Sequence, residues 1–165
     1  MALSTYSGQN MGAGKTGRIR LGFRDSLLAM LALSGLMLVI MQLFGKELVG
    51  LFVHETDVIE LGGQALRITS LFYAFLGVIY VTRGVLNGVG DALFSFINGF
   101  VEIVGRVGLP LLLLRLTDMG VWTIWITAGV TWLLSGFFCV VRYLSWNRKN
   151  RQRMNARMKA GAAEP

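Results

Sequence analysis

Two stretches of this sequence carry no charged residue for the length of a lipid bilayer. Ser26 to Phe44 runs 19 residues, interrupted only by Ser26, Ser34, Gly35 and Gln42, and Gly120 to Val141 runs 22. A helix needs roughly 20 mostly apolar residues to cross a hydrocarbon core about 30 Å thick. Two further runs, Ile68 to Val89 and Ala92 to Arg115, are as long but hold charge inside: Arg83 in the first, Glu102 and Arg106 in the second. The pattern predicts an all-α polytopic membrane protein with four transmembrane helices, at about 26–44, 68–89, 92–115 and 120–145. Residues 1–25 read as a basic loop and 146–165 as a basic tail. The spans take more than half of the 165 residues, so no soluble catalytic domain fits beside them and no enzyme is expected. Residues 1–25 also lack the apolar core of a cleaved signal peptide.

Charge gives this frame a direction. Lys15, Arg18, Arg20 and Arg24 precede the first run, and Arg142, Arg148, Lys149, Arg151, Arg153, Arg157 and Lys159 follow the last. These are eleven of the sixteen basic residues, in a chain of net charge +7. The first loop instead gathers Glu47, Glu55, Asp57 and Glu60. The positive-inside bias then predicts both termini in the cytoplasm and the acidic loop outside, which an even number of spans requires. Trp122 and Trp125 at one end of the last run, with Tyr143 and Trp146 at the other, fit aromatic belts at the two interfaces. Trp132, in the middle, reads as a packing residue.

Several short signals have plainer readings than their motifs suggest. Gly12-Ala13-Gly14-Lys15-Thr16 resembles the end of a phosphate-binding loop, but position 9 is Gln9 where that motif needs glycine, and no apolar strand precedes it. A flexible basic loop is the better expectation. The basic tail adjoins a span and has no interleaved aromatics beyond Trp146, so it reads as an anchor to anionic lipid and not as a nucleic-acid patch. His54 is the single histidine and Cys139 the single cysteine, which excludes an intrachain disulfide and a cysteine-based metal site. No cofactor or metal is called for.

The informative run is the third. Glu102 is its eleventh residue, about 15 Å in at 1.5 Å per residue. Arg106 follows at i+4, in the favoured order for a helical ion pair. An isolated charge at mid-bilayer costs roughly 2.5–3.5 kcal/mol on insertion scales, so these groups must pair, face protein or line a wet cavity. Asn98 extends the polar stripe by a turn, and Pro110 removes the amide that would bond the Arg106 carbonyl, predicting a kink. In the second run Arg83 and Asn87 are i, i+4 neighbours, with Arg83 able to snorkel. Gly84 and Gly88 there form a small-xxx-small pair suited to close packing. The candidate intramembrane polar path is Glu102, Arg106, Asn98, Asn87 and Arg83, in either a structural or a transporting role.

The segment Gly8-Gln9-Asn10-Met11-Gly12-Ala13-Gly14-Lys15, with Arg18 behind it, resembles the cytoplasmic loop before the ninth helix of the multidrug and toxic compound extrusion (MATE) transporters. Arg83 through Asp91 is similar to their tenth-to-eleventh helix hairpin. Glu102 through Pro110 resembles the eleventh helix of one bacterial branch, and Gly120 through Trp125 the start of the twelfth. The resemblance runs from about Leu3 to Trp146 in the right order and spacing. It implies the last four helices of a MATE C-terminal lobe. It also implies a proton- or sodium-coupled antiporter in the inner membrane that expels organic cations, with the N-terminal lobe missing or supplied by a partner chain. Acids that family members use elsewhere for coupling have no counterpart here, so no coupling site carries over. The competing expectations are a non-transporting membrane fragment or accessory subunit, and a stand-alone dimeric four-helix antiporter.

Overall fold

A computed structural model describes residues 2–118 and 120–161. The described residues form six helices and no strand: α1 (Ala2–Gly12), α2 (Thr16–Gly50), α3 (Thr56–Ser70), α4 (Tyr73–Gly88), α5 (Ala92–Leu116) and α6 (Trp122–Gly161). Three of these, α2, α5 and the Trp122–Gln152 part of α6, are each long and apolar enough to cross a membrane. Helices α3 and α4 make a fourth crossing if taken together, bent by 52° at their junction.

Residues 1–25 are not the loop expected of them. Helix α1 occupies 2–12, and α2 begins at Thr16, ten residues before the charge-free run. Hydropathy marks where a helix enters hydrocarbon, not where its hydrogen bonding starts. The 12–16 segment is only the turn between them. Gly14 adopts φ +68°, its N–H donates to the Met11 carbonyl (3.1 Å), and the Lys15 N–H donates to the Asn10 carbonyl (2.8 Å). That is a Schellman cap, for which only glycine is unstrained at the left-handed position. The phosphate-loop look-alike is therefore a helix terminus. The α4–α5 turn repeats the device: Gly90 has φ +90°, with Gly90 N–H to Asn87 O (3.2 Å) and Asp91 N–H to Leu86 O (2.8 Å).

The break between α3 and α4 interrupts the second expected span, 68–89. No proline or glycine sits there. Ser70 Oγ donates to the Arg67 carbonyl (2.9 Å), and Gln42 Nε2 from α2 donates to the same carbonyl (2.8 Å). Leu71 N–H then bonds Ile68 O (3.2 Å) in a tighter turn, so side chains take the acceptor that a continuing helix would have used. Phe44 (φ −118°, ψ 18°) puts a second kink in α2, two residues beyond Gln42. By contrast, α5 runs through Pro110 as one helix, close to its expected bounds. Helix α6 continues through the expected tail to Gly161. The side chains of Arg153, Arg157 and Lys159 lie outside the described residues, as do Met1 and 162–165.

Helix α4 is the centre of the bundle, packed against α1, α2, α5 and α6. The α1–α4 crossing is made by glycines. A Cβ on Gly8 would stand 3.1 Å from Gly88 O, and one on Gly88 would run into the Ser4 carbonyl oxygen. Gly88 of the expected small-xxx-small pair thus does admit a close neighbour, and the neighbour is the segment read as a loop. Polarity is inverted relative to a water-soluble protein. Buried positions include Ser34, Ser70, Thr82, Ser95, Asn98 and Ser135, while Leu28, Leu36, Phe96, Phe100, Ile103, Leu111 and Phe137 are exposed. Small and hydroxyl-bearing residues pack between helices and large apolar ones face outward, as hydrocarbon favours.

Candidate functional site: a carboxylate shared by three helices

Helix α6 presents a small residue to the bundle every fourth position: Thr123, Thr127, Thr131, Ser135 and Cys139, all buried. Thr127 and Thr131 return their hydroxyls to the carbonyls of Thr123 and Thr127, each at 2.7 Å, so their polarity is spent on their own helix. Ser135 differs. Its Oγ donates to Glu102 Oε1 across to α5 (2.7 Å), while Asn98 Nδ2 donates to Ser135 Oγ (2.7 Å). Asn98 Nδ2 also lies 3.3 Å from Glu102 Oε1. From α4, Arg83 Nη1 approaches the same oxygen at 3.8 Å. Three helices thus meet on one carboxylate oxygen.

The pairing differs from the sequence expectation. The ion partner of Glu102 is Arg83 on the neighbouring helix, not Arg106 at i+4. Arg106 instead places its guanidinium 5.4 Å from the centre of the Trp132 ring on α6, a cation–π arrangement, and it is exposed. Arg83 does not snorkel away from the bundle. Gly99 on α5 gives it passage, since a Cβ there would lie 3.3 Å from Arg83 Nη2. Asn87 is exposed, one turn beyond Arg83, and no hydrogen bond among the described residues ties it to the cluster. Of the five expected polar-path residues, Glu102, Asn98 and Arg83 come together, Arg106 stands one turn away and Asn87 outside.

Ser135 and Gly99 were missed by reading each helix alone. The four-residue repeat from Thr123 to Cys139 is visible in the sequence, but nothing in it says which hydroxyl meets a partner. The side chains of Glu102 and Arg83 are 14% and 28% exposed, so the pair is partly open. An open pocket of about 250 Å³ adjoins it, lined by Arg83, Ser95, Phe96, Gly99, Phe100 and Ile103. The buried Ser95 and Thr82 hydroxyls have no hydrogen-bond partner. Among the described residues both hydrogen bonds to Glu102 and the nearest approach of Arg83 fall on Oε1, which leaves Oε2 free of hydrogen bonds and able to accept a proton or a cation.

The chain is similar to several known proteins. Over 145 residues it is 27% identical to "Multidrug and toxin extrusion protein 2" of Homo sapiens, covering 84% of this chain and 24% of the relative. It is 28% identical over 131 residues to "Probable multidrug resistance protein NorM" of Thermotoga maritima, 76% of this chain and 27% of the relative. "Probable multidrug resistance protein YpnP" of Bacillus subtilis is 30% identical over 92 residues, 56% of this chain and 21% of the relative. The chain therefore spans about a quarter of the length of these curated relatives. No solved structure matches. The sequence profile of the MatE family matches residues 1–111, two thirds of the chain; this protein belongs to the MatE family.

Proposed function

We propose that this chain supplies the last four helices of a proton- or sodium-coupled multidrug efflux antiporter, acting in the inner membrane with both termini cytoplasmic. The observation that carries the proposal is the Glu102 site. A carboxylate in the bundle interior holds an arginine from a second helix and keeps one oxygen free of hydrogen bonds among the described residues. Such a group can exchange its ion partner for a proton or sodium ion. Each exchange alters the tie between α4 and α5, which is the element a coupled transporter must move. The relatives named for multidrug resistance or toxin extrusion support an organic, often cationic, substrate.

The remaining helices of the transporter come from an N-terminal lobe or a partner chain. Arg106 favours this. It is exposed on α5 one turn from Glu102, at a depth where a lipid-facing charge costs roughly 2.5–3.5 kcal/mol. A covering helix or wet cavity removes that cost.

The test is reconstitution. The chain alone, and the chain joined to the gene segment for the preceding helices, are placed in liposomes with a pH or sodium gradient, and ethidium movement is followed. Transport by the joined protein, abolished by Glu102→Gln, is expected. Gradient-independent movement, or full activity of the variant, overturns the coupling role. Transport by the chain alone overturns the need for a further lobe.

A further inference from the structure

At the end of the bundle opposite Trp122, the α4–α5 turn, the last turn of α1 and helix α6 enclose an open notch of about 270 Å³. Its lining is Met11, Val89, Gly90 and Asp91 on one side and Arg142, Trp146, Lys149 and Asn150 on the other. Trp146 is 24 residues beyond Trp122, about 36 Å along α6 at 1.5 Å per residue. A hydrocarbon core is about 30 Å thick, so the notch lies at headgroup level.

The chemistry of the lining suits a phosphate. Arg142 and Lys149 bring two positive charges against one negative charge from Asp91. Asp91 engages only the Nε of Arg142 (2.7 Å), which fixes the guanidinium and leaves its two terminal nitrogens free of hydrogen bonds among the described residues. Asn150 Nδ2 is buried and has no hydrogen-bond partner among the described residues. A buried, unpaired amide donor costs about 1–3 kcal/mol, a cost removed when the Asn150 side chain turns to meet an anionic oxygen in the notch. The volume equals about nine waters at ~30 Å³ each, enough for a phosphate with its flanking ester carbons. Trp146 supplies an indole at the depth where such rings border acyl chains.

We infer that this notch is a binding site for a phosphodiester headgroup, formed by Arg142, Lys149 and Asn150 with Asp91 as the positioning carboxylate. The occupant is an anionic phospholipid of the surrounding leaflet. Bound there, it joins the α4–α5 turn to α6 beside the Gly90 cap. The inference needs only membrane insertion and is independent of coupling or substrate.

Native mass spectrometry of the full chain released from nanodiscs tests it. The arms are phosphatidylglycerol, phosphatidylcholine, and phosphatidylglycerol with added inorganic phosphate. Retained phosphatidylglycerol is expected for the parent. Direct contact with the phosphate is worth more than general attraction near the surface, so Lys149→Gln and Asn150→Asp should each reduce retention about fivefold below Arg148→Gln, which removes only a neighbouring exposed charge outside the notch. Inorganic phosphate that displaces the lipid also supports the site, by showing that the phosphate carries recognition. Equal retention of the two lipids, or equal loss in Lys149→Gln and Arg148→Gln, overturns it. All three substitutions sit on the C-terminal part of α6, beyond its charge-free run, and circular dichroism of each confirms folding before the comparison.

Discussion

Glu102 Oε1 takes a hydroxyl, an amide and a guanidinium from three helices. Removing any one donor therefore leaves a different debt. Glu102→Gln keeps an acceptor for Ser135 but strands Arg83 without its counter-charge. Arg83→Gln strands the carboxylate instead. The double substitution leaves two neutral amides, so a thermal-stability cycle should show a coupling of about 1–3 kcal/mol between 83 and 102, typical of residues in one ionic network. The same cycle between 102 and 106 should be near zero, because Arg106 is engaged with Trp132. A large 102–106 coupling would contradict the geometry. The two glycines of α4 give a second contrast at this scale. A Cβ on Gly84 meets Leu3 at 3.5 Å, ordinary contact, whereas one on Gly88 meets Ser7 Cβ at 2.7 Å and the Ser4 carbonyl closer still. Gly88→Ala should cost about 1–3 kcal/mol, as overpacking does, and Gly84→Ala little, read from melting in detergent.

Helices differ in how much of their extent hydropathy records. Helix α5 matches its expected span because both ends are set locally, by the Gly90 cap and by the extended Thr117. Helix α2 overruns its charge-free run at both ends, since Arg18, Arg20 and Arg24 are good helix formers in headgroup or water. The α3–α4 elbow was illegible for a different reason. Its cause is Gln42, a residue 25 positions earlier that donates to the Arg67 carbonyl. Taken alone, Gln42 is only an interruption of an apolar run. Likewise the need of Glu102 for a partner was legible from its place within an apolar run, but the identity of that partner was not. The i+4 rule describes an isolated helix, and a second helix with Arg83 competes successfully. Gln42→Leu tests the elbow. It removes the donors to the Arg67 carbonyl and Ser70 Oγ while improving hydropathy. Amide hydrogen exchange across residues 67–73 should rise, with a stability loss of about 0.5–1.5 kcal/mol for the lost hydrogen bond, since Ser70 Oγ still serves the carbonyl. Unchanged exchange would place the cause of the bend elsewhere.

The molecule as a whole separates its charges by end. Ile19 near the start of α2, Val85 of α4 and Tyr143 of α6 form one buried cluster, and Phe23 stacks on Tyr143 with ring centres 3.8 Å apart. The basic segments at the two ends of the chain are thereby brought to the same end of the bundle. The acids of the α2–α3 loop lie at the other, where Lys46 pairs with Glu60 at 2.6 Å. Against that arrangement, Arg106 is the residue the visible bundle accommodates least well, being charged, mid-helix and outward-facing. Its behaviour should reverse with context. In the chain alone, Arg106→Leu exchanges a lipid-facing cation for an apolar side chain, and insertion measured by a glycosylation reporter should improve by up to about 2.5–3.5 kcal/mol. In a complete transporter the same substitution should lower efflux, because the guanidinium then faces a neighbouring lobe or an aqueous path. Improvement in both settings would mean that beyond Trp132 Arg106 meets only lipid, and that its side of α5 has no further partner to lose.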